Sequence, residues 1–481
     1  MFVRVAAAGA LFGGVALAGC FDLPADRDSF CQSEVCAVFV SSSLGDDDTA
    51  DGTRERPFAT LSQAVKSAAG APVYACAETF QEAVAISGTA VVYGGRDCKN
   101  DWGQLDGTPT LVEAPVSAVA LRIAAEAEVA MYDFALRAAD AALDGGSSIA
   151  VIAGKDATLE LTRCSIEAGA GAPGRSQQVA APAEVGESGT DGASACATAE
   201  DVANGPVGAQ NVCGADTSSG GKGGNGYVTK EKTRSGGGGA VGTDVSKNGG
   251  AGETDTTPCE AGGDGENGKD GGPGAGATGV GNIGSAFGFA GVAGVDGAPG
   301  TPGFGGGGGG GAKGGIGESL CPMTDAEVQL GSGATGGSGG AGGCGGKGGA
   351  GGGAGGASIG VVSIGANLVL TTVTIAVKSG GAGGSGAEGQ SGGAGGPGGA
   401  GGIAEPAGLK AACAGGAGGS GGKGGPGGGG LGGHSIGIAH TGAAPDTGSV
   451  IIDVGAAGAG GPGAAGAGDG AAGLSANVQS F

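Results

Sequence analysis

Beyond residue 169 the chain is paced by glycine pairs that impose a period of three. Thr335, Ser338, Ala341, Cys344, Lys347 and Ala350 are each separated by Gly-Gly, as are Ala417, Ser420, Lys423 and Pro426. Two of every three residues there lack a Cβ, so neither an amphipathic helix nor an aliphatic-faced strand can be built from them. The period matches a threefold extended helix of the polyproline II type, with a rise of about 3.1 Å per residue. Chains this bare can approach until backbone and Cα–H···O contacts form, each worth about 0.5–1 kcal/mol. The opposing reading is a flexible, solvated coil, which Gly-rich composition ordinarily gives. A collagen triple helix fits less well, because strict Gly-X-Y around Gly297, Gly300 and Gly303 lasts only a few triplets. Glycine supplies 124 of 481 residues and aromatic residues only 4 %. One modest core with much chain outside it is therefore expected, despite a length that suits two or three domains.

The core is signalled by a recurring apolar unit. Ser148-Ile149-Ala150-Val151 matches Ser358-Ile359-Gly360-Val361 and Ser435-Ile436-Gly437-Ile438. From these serines, Ile375 and Ile452 lie 17 residues on and Ile166 lies 18 on. Two residues earlier, Cys164, Val373 and Val450 share one position, which places Cys164 in an apolar ladder where a small buried thiol fits. Strand-like segments upstream, at 119–123, 129–136, 149–152 and 159–166, suit coils of about 20 to 30 residues, the period range of solenoids. The Gly-rich segments leave after Ile166, Ile375 and Ile452, hence from one corner of the coil.

Ahead of these coils, Val38-Phe39-Val40 reads as a strand and the run from Gly45 to Thr53 as an Asp-rich turn. Thr60 with Gln63 forms a capping box, and Leu61, Ala64, Val65 and Ala68 follow at helical spacing, giving a helix of about nine residues ended by Pro72. Strands return at Val73-Tyr74-Ala75-Cys76, Val84-Ala85-Ile86 and Val91-Val92-Tyr93. This order, with Arg56-Pro57-Phe58-Ala59-Thr60-Leu61, Phe80-Gln81-Glu82 and Tyr93-Gly94-Gly95, resembles the N-terminal module of a family of unknown function among pectate-lyase-like right-handed β-helix proteins. The resemblance covers residues 37–168. It implies an all-β, right-handed parallel β-helix of the pectin-lyase type, whose short N-terminal helix caps the open end. The Gly-Gly-X phasing is similar to that of PE-PGRS surface proteins. The expected organisation is a leader at 1–19, a tether at 20–37, and the β-helix module with its first coils at 38–168. A Gly-rich insertion at 169–357, a coil at 358–379, a second insertion at 380–434, a coil at 435–454 and a Gly/Ala-rich tail at 455–481 follow.

The leader reads as an export signal, with Arg4 ahead of an apolar run at 5–18 and Leu17-Ala18-Gly19-Cys20 at its end. That tetrad resembles a lipobox, in which Cys20 accepts diacylglycerol; several acyl chains then hold a protein on a membrane without a transmembrane helix. Phe21, rather than Asp, follows Cys20, and by resemblance to proteobacterial sorting this implies the outer membrane and the cell surface. Twelve cysteines in an exported chain point to disulfides. Cys31 and Cys36 in the tether, and Cys76 and Cys98 flanking two strands, are the N-terminal disulfide candidates; Cys196, Cys213, Cys259, Cys321, Cys344 and Cys413 lie in the Gly-rich segments. Removing lipidated Cys20 from the twelve leaves eleven, and the ladder nominates Cys164 as the unpaired thiol.

Chemistry-bearing residues are sparse. With 23 basic against 46 acidic residues the formal charge is −23, which excludes nucleic acid as an expected partner. Asp46, Asp47, Asp48 and Asp51 have calcium-ligand chemistry but read first as an Asx-rich turn. Arg122, Arg137 and Arg163 lie beside strands with no recurring Asp cluster and are assigned to the solvated face. His434 and His440 are the two imidazoles and do not read as a metal pair. Gly-x-Gly-x-x-Gly arises repeatedly by chance with no βαβ unit around it. Trp102, Tyr74, Tyr93 and Tyr132 are a thin supply of sugar platforms and read as bulk for core or cap. No catalytic, cofactor-binding or metal site is therefore assigned. The expected function is a membrane-anchored structural or adhesive lipoprotein, meeting extracellular polysaccharide or other surface proteins. A carbohydrate-active or carbohydrate-binding β-helix is the alternative, and an ice- or mineral-binding Gly array the third class.

Overall fold

The computed structural model describes residues 37–198, 202–227, 237, 240–241, 244–314, 331–405 and 409–481. Cys20, Cys31, Cys36 and Cys321 lie outside them. The protein is nearly all-β, and its three large sheets are parallel. The first sheet stacks Val38–Val40, Val73–Cys76, Ala90–Asp97, Glu128–Tyr132, Thr158–Thr162 and Asn367–Thr371, with Gly103–Gln104 added antiparallel to Ala90–Asp97. The second stacks Thr79–Phe80, Thr110–Glu113, Phe134–Ala138, Ser165–Ala168, Val373–Val377 and Val450–Val454. The third stacks Val84–Ile86, Leu121–Ile123, Ser148–Ala153, Ser358–Ile364, Ser435–Thr441 and Ser475–Ser480. From Val73–Cys76 the chain visits first, second and third in turn, so each circuit lays one strand on every side until the last, which has strands on the second and third sheets only.

Register converts the sequence repeats into ladders. On the second sheet Phe80, Val112, Leu136, Ile166, Ile375 and Ile452 stand in one row, and on the third Val84, Leu121, Val151, Val361, Ile438 and Val478. Such rows bury apolar area layer by layer, at about 25 cal/mol per Å². Cys164 sits in the same interior, buried and free, with Phe134 and Val373 in the neighbouring layers. The segments 129–136 and 159–166, expected as single strands, are each cut in two. Asp133 and Arg163 adopt φ of 60° and 53°, and Thr372 repeats the corner at 57°. One left-handed residue turns the chain sharply from the first sheet to the second, at a cost of about 1–2 kcal/mol for a residue with a Cβ.

The helix spans Leu61–Ser67, with Thr60 as its N-cap accepting from the Gln63 amide. Gln63 does not close the box in return, because its side chain donates to Ser67 Oγ at 3.4 Å. It ends before Pro72, where Ala69 and Gly70 take positive φ. Leu61 and Ala64 bury its apolar face over the first coil.

The described residues of the Gly-rich segments are ordered. Gly337, Ser338 and Gly339 donate to the carbonyls of Cys413, Thr190 and Gly221, at 3.1, 3.0 and 2.9 Å, on three different neighbouring chains. Their own carbonyls accept from Gly309, Gly399 and Ala209. Consecutive residues of a threefold chain point their amides 120° apart, so each chain bonds outward in every direction and the segments form a three-dimensional array. Glycine is mandatory there: a Cβ on Gly339 would overlap the Gly306 carbonyl, and one on Gly340 that of Gly396. Thr335, Ser338 and Ala341, the third residues of the central chain, are fully buried. Two disulfides tie chains of the array, Cys213–Cys344 with Cα atoms 5.2 Å apart and Cys259–Cys413 at 5.9 Å; Cys196 is also disulfide-bonded.

All three excursions leave after a strand of the second sheet and return into one of the third. Two expectations are corrected. Residues 455–481 are no free tail, since Ser475–Ser480 pairs with Ser435–Thr441 as the last strand of the third sheet. The first insertion also does not merely project: its hairpin, Asn282–Gly284 with Gly288–Ala290, folds back so that Phe289 packs with Ile149, Ile152, Ile359, Val362 and Ile436. The third sheet is thus covered on both faces, which is why its strands read as continuous apolar runs.

Gly339→Ala should destabilise the protein by roughly 1–3 kcal/mol and strip amide-exchange protection from residues 331–357, whereas Ala341→Gly should change little. Ile375→Asp places an unpaired carboxylate in the ladder and should lower the melting temperature further, with protection lost at 165–168 and 450–454 as well. Unchanged protection in Gly339→Ala would refute close packing of the array.

Candidate functional site

Register also brings together the aromatic residues that the sequence scatters. Phe39, Tyr74, Tyr93 and Tyr132 share one row on the outer face of the first sheet. Their rings stack at centroid distances of 5.6, 5.3 and 4.9 Å. Trp102 closes the row edge-on against Phe39 at 4.8 Å. The buried guanidinium of Arg96 lies 4.8 Å from the Tyr74 centroid and 5.6 Å from that of Tyr93. Cys76 and Cys98 are at disulfide distance beside Trp102, with Cα atoms 5.6 Å apart, as the strand positions anticipated. At the other end Tyr132 donates to Glu160 at 3.1 Å, and burial together with the Glu160 charge pushes its phenol up to about 12. The row was readable only through alignment of strands across coils, because nothing in the local sequence marks these four residues as neighbours.

The chemistry of this face is limited by how its groups are used. A sugar ring binds an aromatic residue through an open face, and in this row the faces lie against each other. Arg163 makes a two-pronged pair with Asp133, at 2.7 Å on each oxygen. Arg137 stands between Glu113 and Glu167 of the adjacent coils, at 3.5 and 2.8 Å, a cross-strand charge ladder on the second sheet. Arg122 donates to the Ser285 carbonyl and pins the folded-back hairpin. Each arginine therefore has a structural partner.

The Asp-rich turn behaves likewise. Asp47 accepts from the Ala59 and Thr60 amides and the Thr60 hydroxyl at 2.7, 3.2 and 2.7 Å, holding the helix start. Asp46 serves the Asp48 amide and Thr49, and Asp51 serves Thr53 and pairs with Arg56. These hydrogen bonds hold both carboxyls below the usual range. Among the described residues no group of three or more His, Cys, Asp or Glu side chains is disposed to hold a metal ion.

One imidazole, His440, is on a strand of the third sheet, and the other, His434, immediately precedes that strand. His434 Nδ1 accepts from the Leu474 amide at 2.8 Å, and Nε2 faces the Val280 carbonyl at 2.8 Å, which fixes a neutral tautomer. It sits against Phe289 and Phe481. Burial pushes its pKa below the ordinary value. His440, on the strand Ser435–Thr441, is buried, and its Nδ1 has no hydrogen-bond partner. Burial also pushes the Cys164 thiol up to about 11, so almost no thiolate is present at neutral pH.

No protein-family model matches the chain, and no curated protein is similar to it.

Two measurements follow from these environments. Native Cys164 should resist iodoacetamide and react only after unfolding, and peptide mapping without reduction should recover it as a thiol; its recovery in a disulfide would overturn the ladder register. His434, with a folded pKa below the unfolded value of 6.5, binds fewer protons in the folded state. Its contribution to stability is whole above pH 6.5 and is lost as the pH falls toward the folded pKa. The paired carboxylates lose theirs lower down, below their ordinary values of about 4. Thermal melts should therefore show stability falling as the pH drops below about 6.5, and His434→Gln, which has no proton to take up there, should flatten that fall.

Proposed function

We propose that this is an exported structural or adhesive lipoprotein, anchored through Cys20. In this reading it carries a right-handed parallel β-helix of the pectate-lyase-like group and displays an ordered polyglycine II array at the cell surface, where it meets extracellular polysaccharide or other surface proteins. The observation that carries the reading is the array itself. It is hydrogen-bonded in three directions, continuous with the coils, and tied by disulfides between distant segments. Disulfides at this density persist in oxidising compartments, which agrees with export. The arginines, aspartates and aromatic rings that a polysaccharide-cleaving enzyme would use are engaged in ladders and caps, which favours a scaffold over a catalyst.

Cys20→Ser should abolish metabolic labelling with a fatty acid and release the protein from the membrane fraction, while protease added to intact cells should cleave the anchored form. Retained labelling and membrane association in Cys20→Ser would refute the anchor, and formation of unsaturated products from acidic polysaccharide would refute the scaffold.

A further inference from the structure

The far end of the array lies away from the coils that fix its register. The segment 291–313 starts beside Gly352, close to the third sheet, and runs outward until Gly309 meets Gly337. Residues 250–253 follow it in the same direction, with Gly250 and Glu253 donating to the Gly308 and Gly311 carbonyls at 2.8 and 3.0 Å. The chain then turns, Thr254 donating to the Thr257 carbonyl at 2.9 Å, and returns along another side of the same segment, where Gly310 and Gly307 donate to Glu260 and Gly263. The turn thus straddles the end of 307–313. Just after it, Cys259 is bridged to Cys413.

Three ionisable side chains meet at this turn. The Lys313 ammonium lies directly against the Asp255 carboxylate. Glu253 Oε2 accepts from the Lys313 backbone amide at 2.8 Å, and its Oε1 pairs with Lys410 Nζ at 2.9 Å. Glu253 is buried. The Lys313 side chain is 17 % exposed, against 50–76 % for the ion-paired Lys155, Lys378, Lys410 and Lys423. An ion pair whose amine is buried to this extent loses hydration that its attraction barely repays. An amide between the same two side chains has no charge to desolvate.

We propose that Lys313 and Asp255 are joined by an isopeptide bond, Nζ to Cγ, with Glu253 carrying the proton. The step is a condensation and needs no oxidant or co-reactant. The ammonium gives one proton to the Asp255 carboxylate, leaving an amine and an acid. The amine nitrogen attacks Cγ, and as the C–N bond forms its second proton passes through the Glu253 carboxylate to the hydroxyl on Cγ. The C–O bond to that hydroxyl breaks and water leaves, so one cation and one anion become one neutral amide and one water. The bond fastens the turn to the segment it straddles and closes the loop from 255 to 313, restraining the unfolded chain as a disulfide does. Unlike Cys259–Cys413, it survives reduction. The inference is independent of the anchor at Cys20.

Mass spectrometry of the full chain, fully reduced and digested with trypsin, tests it. Lys313 should remain uncut and be recovered in one branched peptide with Asp255, lighter than its two parts by one water molecule. Lys313→Arg, which keeps the ion pair but cannot condense, and Asp255→Ala should both give linear peptides only, with the circular dichroism of the wild type. Glu253→Gln should fold with the same circular dichroism yet leave most chains unbranched. Wild-type protein cleaved after Lys313 with no water lost overturns the bond, as does a branch on Lys313 that persists in Asp255→Ala. Complete branching in Glu253→Gln overturns the part given to Glu253.

Discussion

Backbone hydrogen bonding between chains held in register is the interaction on which the rest of this structure depends. In the coils it aligns aliphatic residues into rows that exclude water. In the array it acts almost without side chains, because the threefold chain spreads its amides and carbonyls around its axis and finds a partner in each direction. A net gain of about 0.5–1.5 kcal/mol per hydrogen bond is small against the ordering cost of glycine. It suffices only when nearly every group is satisfied and the chain ends are already fixed. Both conditions are met, since excursions start and finish on strands of the coil and long-range disulfides restrain the first two.

The same constraint gives the acidic excess a structural reason. At the margins of the array, amides that would otherwise face water are taken by side chains of the next chain. Asp264, Asn267 and Asp270, spaced by three, accept from the Ala417, Ser420 and Lys423 amides at 2.9, 2.9 and 2.7 Å. Asp191 accepts from Ala400, Asp296 from Gly351 and Glu388 from Ala465. An unpaired amide needs an acceptor, and a carboxylate is the strongest one available. A basic side chain cannot serve. Acids in the third position of a Gly-x-x triplet thus close the array sideways, as charged residues close a sheet edge.

What could be read from the sequence follows from how local each signal is. The coil motif at Ser148, Ser358 and Ser435, the common corner of departure, the buried thiol of Cys164 and the capped helix are set by residues within one circuit, and their patterns are explicit. The corner residues Arg163 and Thr372 were hidden, because nothing in a β-branched or long basic residue announces a left-handed conformation that only the neighbouring coils enforce, whereas Asp133 is of a type that adopts it more readily. The aromatic row was hidden for a related reason: Tyr74, Tyr93 and Tyr132 become neighbours only once the register across coils of unequal length is known. Order in the Gly-rich segments was undecidable from composition alone, since the triplets that permit threefold packing are also those of a flexible linker.

The relation between coil and array runs in one direction. At the shared corner Ser148 donates to Ala357, Ala172 to Gly146, Ser358 to His434 and Gly380 to Ala456, so the strands of the third sheet hand their register straight to the first residues of the array. A Gly-Gly-X chain alone has no preferred offset, because every triplet is equivalent to the next. Coils with distinct side chains fix that offset at the corner, and the triplet period then propagates it outward. Aliphatic ladders that specify register, joined to glycine chains that only transmit it, let a modest apolar core order far more chain than it could bury.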